Sequence, residues 1–100
     1  MKSIQTYINE AKELVKVAVM TEEVYCELNE SNEEWTLEFG DQVLEASERK
    51  NKALKQAIKA VKDLFTLFDL EAPKLRYLFE VQCGLYTITH RWEYMNKNIY

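Results

Sequence analysis

A chain of 100 residues with 47% hydrophobic residues has room for one modest core and is too apolar to remain disordered. Its net charge of −4 counts against a general nucleic-acid binder. The longest uninterrupted apolar run, residues 17–20, is far too short to cross a membrane.

Two glycines and one proline argue for long regular elements joined by short connections. One domain over residues 1–100 is expected. Met1-Lys2-Ser3-Ile4-Gln5 does not open a signal peptide, so a cytoplasmic protein is expected. Cys26 and Cys83 stand far apart and read as free thiols. Charge is uneven along the chain: residues 1–48 carry −9 and residues 49–100 carry +5.

Residues 3–20 predict an amphipathic helix. Ile4, Tyr7, Ile8, Ala11, Leu14, Val15, Ala18 and Val19 share one face, with Lys2, Asn9, Glu13 and Lys16 opposite. Val17 falls off that seam and marks an edge contact. The period then changes. Val24, Cys26 and Leu28 alternate with Tyr25 and Glu27. Asn29-Glu30-Ser31-Asn32 has turn chemistry, and Trp35, Leu37 and Phe39 alternate again. This pattern predicts a β-hairpin over residues 24–39 with an apolar inner face and an acidic outer one. Ser31 followed by Glu34 also fits a helical capping box, which keeps a helical alternative open.

Asp41 is a candidate cap for the next helix. Over residues 42–68 the seam is Val43, Ala46, Ala53, Leu54, Ala57, Ile58, Val61, Leu64, Phe65 and Phe68, interrupted by Lys50. A late start, with residues 42–46 as a short third strand and Ser47 as the cap, accounts for the interruption. Residues 72–99 hold the most regular seam of the chain: Leu78, Val81, Leu85, Ile88, Trp92, Met95 and Ile99. Pro73 suits the first turn of such a helix and Asp69 its cap. A hairpin turning at Cys83-Gly84 competes, because Thr87, Ile88 and Thr89 favour strands, but alternation does not explain seven heptad-spaced positions. The expected fold is therefore α+β and predominantly helical: an N-terminal helix, a β-hairpin and two long antiparallel helices. An all-α bundle of three to four helices is the alternative.

No catalytic, cofactor or metal motif stands out. His90 is the sole histidine and has no cysteine or carboxylate at ligand spacing. Cys83 with His90 lacks the activating surroundings that a nucleophile needs. A non-enzymatic role is expected, without cofactor and without membrane partner.

Three surfaces remain. Glu27, Glu30, Glu33, Glu34 and Glu38, with Tyr25 as an aromatic anchor, form an acidic patch suited to a basic groove on another protein. This leads to a small acidic protein-binding module, such as an inhibitor, an adaptor or an antitoxin-like factor. Arg49, Lys52, Lys55, Lys59 and Lys62 make a basic stripe suited to phosphates, the alternative being nucleic-acid binding. Leu75, Phe79 and Tyr86 form a second apolar patch on the last helix, suited to a homodimer.

The order helix, strands, then a helix opening with Arg49-Lys50-Asn51-Lys52-Ala53 resembles in outline the double-stranded-RNA-binding domain over residues 4–68. The resemblance implies phosphate contacts from those lysines. Asn51 departs from that family's paired-lysine spacing, and an acidic hairpin would repel RNA.

Overall fold

The computed structural model describes residues 3–30 and 36–97. They form three α-helices, α1 (Ile4–Glu30), α2 (Leu37–Leu67) and α3 (Leu78–Lys97), with no strand among the described residues. The fold is an all-helical bundle, so the expected α+β fold and its β-hairpin are overturned.

Helix α1 opens on Ser3, whose Oγ accepts the Thr6 N–H at 3.2 Å while its carbonyl accepts the Tyr7 N–H. It buries Ile8, Ala11, Val15 and Ala18. It then runs through the segment expected to be a strand. An inward strand face would have covered Val24 and Cys26 and exposed Tyr25. Instead Val24 and Cys26 are exposed and Tyr25 is half-buried. Thr21, Tyr25 and Leu28 all stay half-buried at helical spacing. The second strand fails as well. Its Trp35 lies outside the described residues, and Leu37 and Phe39 belong to α2.

Helix α2 starts earlier than either cap read from the sequence. Thr36 is extended (φ −118°, ψ 166°) and its Oγ1 accepts the Phe39 N–H at 3.0 Å. Asp41 and Ser47 are therefore interior helical residues, and residues 42–46 form no strand. Lys50 does not break the helix. It sits on the buried side, and its ammonium reaches Glu22 Oε2 at 3.6 Å and the face of Tyr25 at 4.3 Å. The aliphatic stem of a lysine tolerates such a place if its head finds partners.

The end of α2 explains why α3 starts late. Asp69 is left-handed (φ 57°), its N–H bonds the Thr66 carbonyl at 3.0 Å, and the Leu70 N–H bonds the Phe65 carbonyl at 2.9 Å. This is a Schellman motif, with Asp69 in the place glycine usually takes. Asp69 thus ends α2 and does not begin α3. Pro73 lies in the connection, not in a first helical turn. Helix α3 is capped from inside by Glu80, whose Oε1 accepts the N–H groups of Arg76 and Tyr77, each at 3.1 Å.

Packing fixes the directions of the helices. Trp92 donates its indole N–H to Gln5 Oε1 at 2.8 Å and meets Phe68 edge-on at 6.2 Å. Further down α3, Gly84 lies against Val61 and Phe65, and Leu85 shares a crevice with Lys12 and Val15. So α3 runs parallel to α2 and antiparallel to α1. From the level of Trp92 to that of Leu78 is a return of about 21 Å at 1.5 Å per helical residue. Ten extended residues span about 33 Å, so segment 68–77 suffices. Leu75 from that segment is buried against Gly84, which leaves no room there for a larger residue.

Helix α3 covers only part of the α1–α2 hairpin. The core joins Ile8, Ala11 and Val15 to Ala57, Val61 and Leu64, and to Val81 and Ile88. The molecule measures 60 × 24 × 20 Å. It is a three-helix bundle at one end that narrows to a two-helix stalk at the other.

Candidate partner-binding surface

The stalk holds the acidic segment. Residues 17–48 contain ten Asp/Glu and no Lys or Arg. Because both helices run through this segment, the eight described carboxylates are spread over the two helices of a rod rather than over one face of a sheet. Glu23, Glu27 and Glu30 are exposed on α1, and Glu38, Asp41, Glu45 and Glu48 on α2. Glu33 and Glu34 lie outside the described residues. Tyr25 is not available as an aromatic anchor, since it is half-buried beneath the Lys50 ammonium. Glu22 is drawn to Lys50 and accepts the Cys26 thiol at 3.8 Å. Cys26 and Cys83 are both free and exposed.

Between the stalk helices lies a groove that the sequence reading missed. Val17, Met20, Thr21, Val24 and Leu28 of α1 form one side, and Ala46 with Gln42 of α2 the other. Its free volume is about 410 Å³. Val17, Met20 and Val24 remain 46%, 54% and 52% exposed, large values for apolar residues on a long helix. The legible signal was Val17, Thr21, Val24 and Leu28, spaced four, three and four apart. That is a second stripe on α1 beside the one that meets α2. Glu45 and Arg49 close the groove on the α2 side, and they are bonded to each other.

The basic stripe is a separate surface. Lys52, Lys55, Lys59 and Lys62 are exposed on the side of α2 opposite Ala53, Ala57 and Val61, whereas Arg49, also exposed, turns to the groove. Glu48 and Asp63 share that side, so the row is not purely basic. Its basis in topology is gone too: without strands the outline of a double-stranded-RNA-binding domain does not apply.

The apolar patch on the last helix is smaller than expected at one end. Leu75 is buried in the core and leaves it. Phe79 and Tyr86 are 73% and 72% exposed, and Tyr94 lies on the same outer side. Tyr86 stacks on His90 at 5.9 Å with the rings nearly parallel. Among the described residues no group of three or more His, Cys, Asp and Glu side chains is placed to hold a metal ion, and no helix is long and apolar enough to cross a membrane. Comparison of the chain with protein-family models, with curated proteins and with solved structures gives no match.

Proposed function

We propose that this chain is a protein-binding module that takes a basic partner through the acidic stalk of its α1–α2 hairpin. The observation that carries the reading is the stretch 17–48, which has ten carboxylates and no cation in its sequence and exposes apolar residues beside the carboxylates described on the rod. Clustered carboxylates repel one another, and a cationic partner relieves that strain on binding. Charge of one sign also speeds the encounter and makes it sensitive to salt. Inhibition of the partner, or bridging it to another protein, are the two uses such a small module serves. Within the cell, the cytoplasm remains the proposed location.

The test is affinity capture from the host, in parallel with wild-type protein and the variant Glu23→Lys/Glu27→Lys/Glu38→Lys/Asp41→Lys. All four positions are exposed, so the helices should persist by circular dichroism. A basic protein retained by wild type, eluted by salt and lost with the variant supports the reading. The same capture by both proteins sinks it.

A second reading rests on the exposed row Lys52, Lys55, Lys59 and Lys62, which could track a phosphate backbone. Titration with duplex RNA and DNA at low salt decides it, since phosphate contacts are strongest there. No binding under those conditions ends this alternative.

A further inference from the structure

We infer that the groove between α1 and α2 in the stalk seats one amphipathic helix of the partner, apolar on the face that enters the groove and lysine- or arginine-rich on its flanks. This rests on the protein-binding reading above and names what the stalk holds.

The geometry comes from the bundle end. There, α3 fills one face of the α1–α2 hairpin with a heptad-spaced stripe of its own. The stalk groove opens on the opposite face of that hairpin, which no third helix among the described residues covers, and its α1 lining keeps the same helical spacing. Val17, Thr21, Val24 and Leu28 offer a row of knobs about 16 Å long, at 1.5 Å per residue. Ala46, small and 8% exposed, forms the floor and lets a neighbouring backbone approach closely. An incoming helix of three to four turns matches that length, with anchors spaced three and four apart.

Charge selects which helix. Glu27 stands three residues past Val24, and Asp41 four before Glu45, so carboxylates rise on both banks of the groove. Arg49 is the one cation in the lining, and Glu45 holds it. An acidic helix, an anionic lipid surface or a nucleic acid would meet carboxylates on both sides. A basic helix would pair with them while its apolar face covers Met20 and Val24.

The probe is a fluorescent 18-residue peptide of leucine and lysine in heptad order. A scrambled peptide of the same composition and a leucine–glutamate peptide with the same apolar face serve as comparisons. Fluorescence anisotropy and circular dichroism read binding and helix formation. The full-length protein is used, as wild type, as Met20→Ser/Val24→Ser and as Glu27→Gln/Asp41→Gln/Glu45→Gln. The expected result is that the ordered basic peptide turns helical on wild type and binds at least tenfold tighter than either comparison. The serine variant should weaken it at least tenfold with the thermal midpoint held. The glutamine variant should weaken it and flatten its salt dependence.

Equal binding of the scrambled peptide, untouched by the serine variant, would overturn the seated helix while leaving electrostatic capture standing. Equal binding of the leucine–glutamate peptide would overturn the choice of a basic occupant. A protein that sediments as a dimer and becomes monomeric in the serine variant would show that a second copy fills the groove, again overturning the inference. No binding of either basic peptide at low salt would overturn the inference together with the reading it rests on.

Discussion

Thr89 shows how a single atom can be worth a measurable fraction of the stability of this fold. Its Oγ1 is buried and has no hydrogen-bond partner among the described residues. A buried hydroxyl without a partner costs about 1–3 kcal/mol, while an apolar group of the same shape costs nothing there. Thr89→Val should therefore raise stability by about 1 kcal/mol, near 5 °C in thermal midpoint for a chain of this size. An unchanged or lower midpoint would mean that the hydroxyl is paired in solution. Asp69 offers a test with two signs. Left-handed backbone costs a residue with a side chain about 1–2 kcal/mol, less for aspartate. Asp69→Gly should gain about 0.5 kcal/mol after the larger unfolded-state entropy of glycine, and Asp69→Val should lose about 1–2 kcal/mol. Denaturant melts of the pair check the motif, and the same sign for both would refute the left-handed end of α2. Gly84 is tight for another reason. A Cβ there would stand 3.2 Å from both Leu75 and Val61, so Gly84→Val should cost about 2 kcal/mol through overpacking.

At the scale of elements, much of the architecture was readable and the errors share one cause. The seams around Ile8, Val61 and Ile88 are single stripes at helical spacing, and such stripes are legible without coordinates. Residues 24–28 misled because α1 carries two apolar stripes there. Val24 belongs to the groove and Leu28 borders both sides, so their superposition imitates strand alternation. Lys50 misled in the opposite sense. A charge in a seam reads as a helix end, whereas here a carboxylate and an aromatic face on α1 receive it. Those partners lie on another helix and leave no local mark. The start of α3 was hidden because residues 72–77 keep apolar spacing, yet Leu75 serves the return connection. The groove itself was only half written in the sequence. Its α1 wall has a period, but its openness depends on α3 packing on the opposite face of the hairpin, which leaves no local mark. A substitution separates helix from hairpin in solution. Proline at Glu23 would break an interior turn of α1 and cost about 3 kcal/mol or more, whereas the hairpin reading leaves that position in a tolerant loop before its first strand. A melt within about 0.5 kcal/mol of wild type would reject the continuous helix.

The whole molecule joins a tight end to a loose one, and function is proposed at the loose end. The bundle buries Ala57, Val61, Leu64, Val81 and Ile88 nearly completely. The stalk has two helices, a groove open to water and, among the described residues of 17–48, eight carboxylates, of which Glu22 and Glu45 meet Lys50 and Arg49. Few buried contacts mean low free energies of local opening, and like-charge repulsion lowers them further. Amide hydrogen exchange should accordingly divide the two long helices along their length. Residues 22–30 and 37–46 should exchange faster than residues 8–18 and 53–65. Salt supplies the discriminating arm. The screening length falls from about 30 Å at 0.01 M to about 10 Å at 0.1 M, so most of the repulsion among stalk carboxylates is removed over that range. Exchange in the stalk should slow as salt rises, while exchange in the bundle changes little. If both ends slow together, the effect is general and charge segregation does not set local stability. If only the stalk responds, the repulsion that a basic partner would relieve is present before any partner arrives.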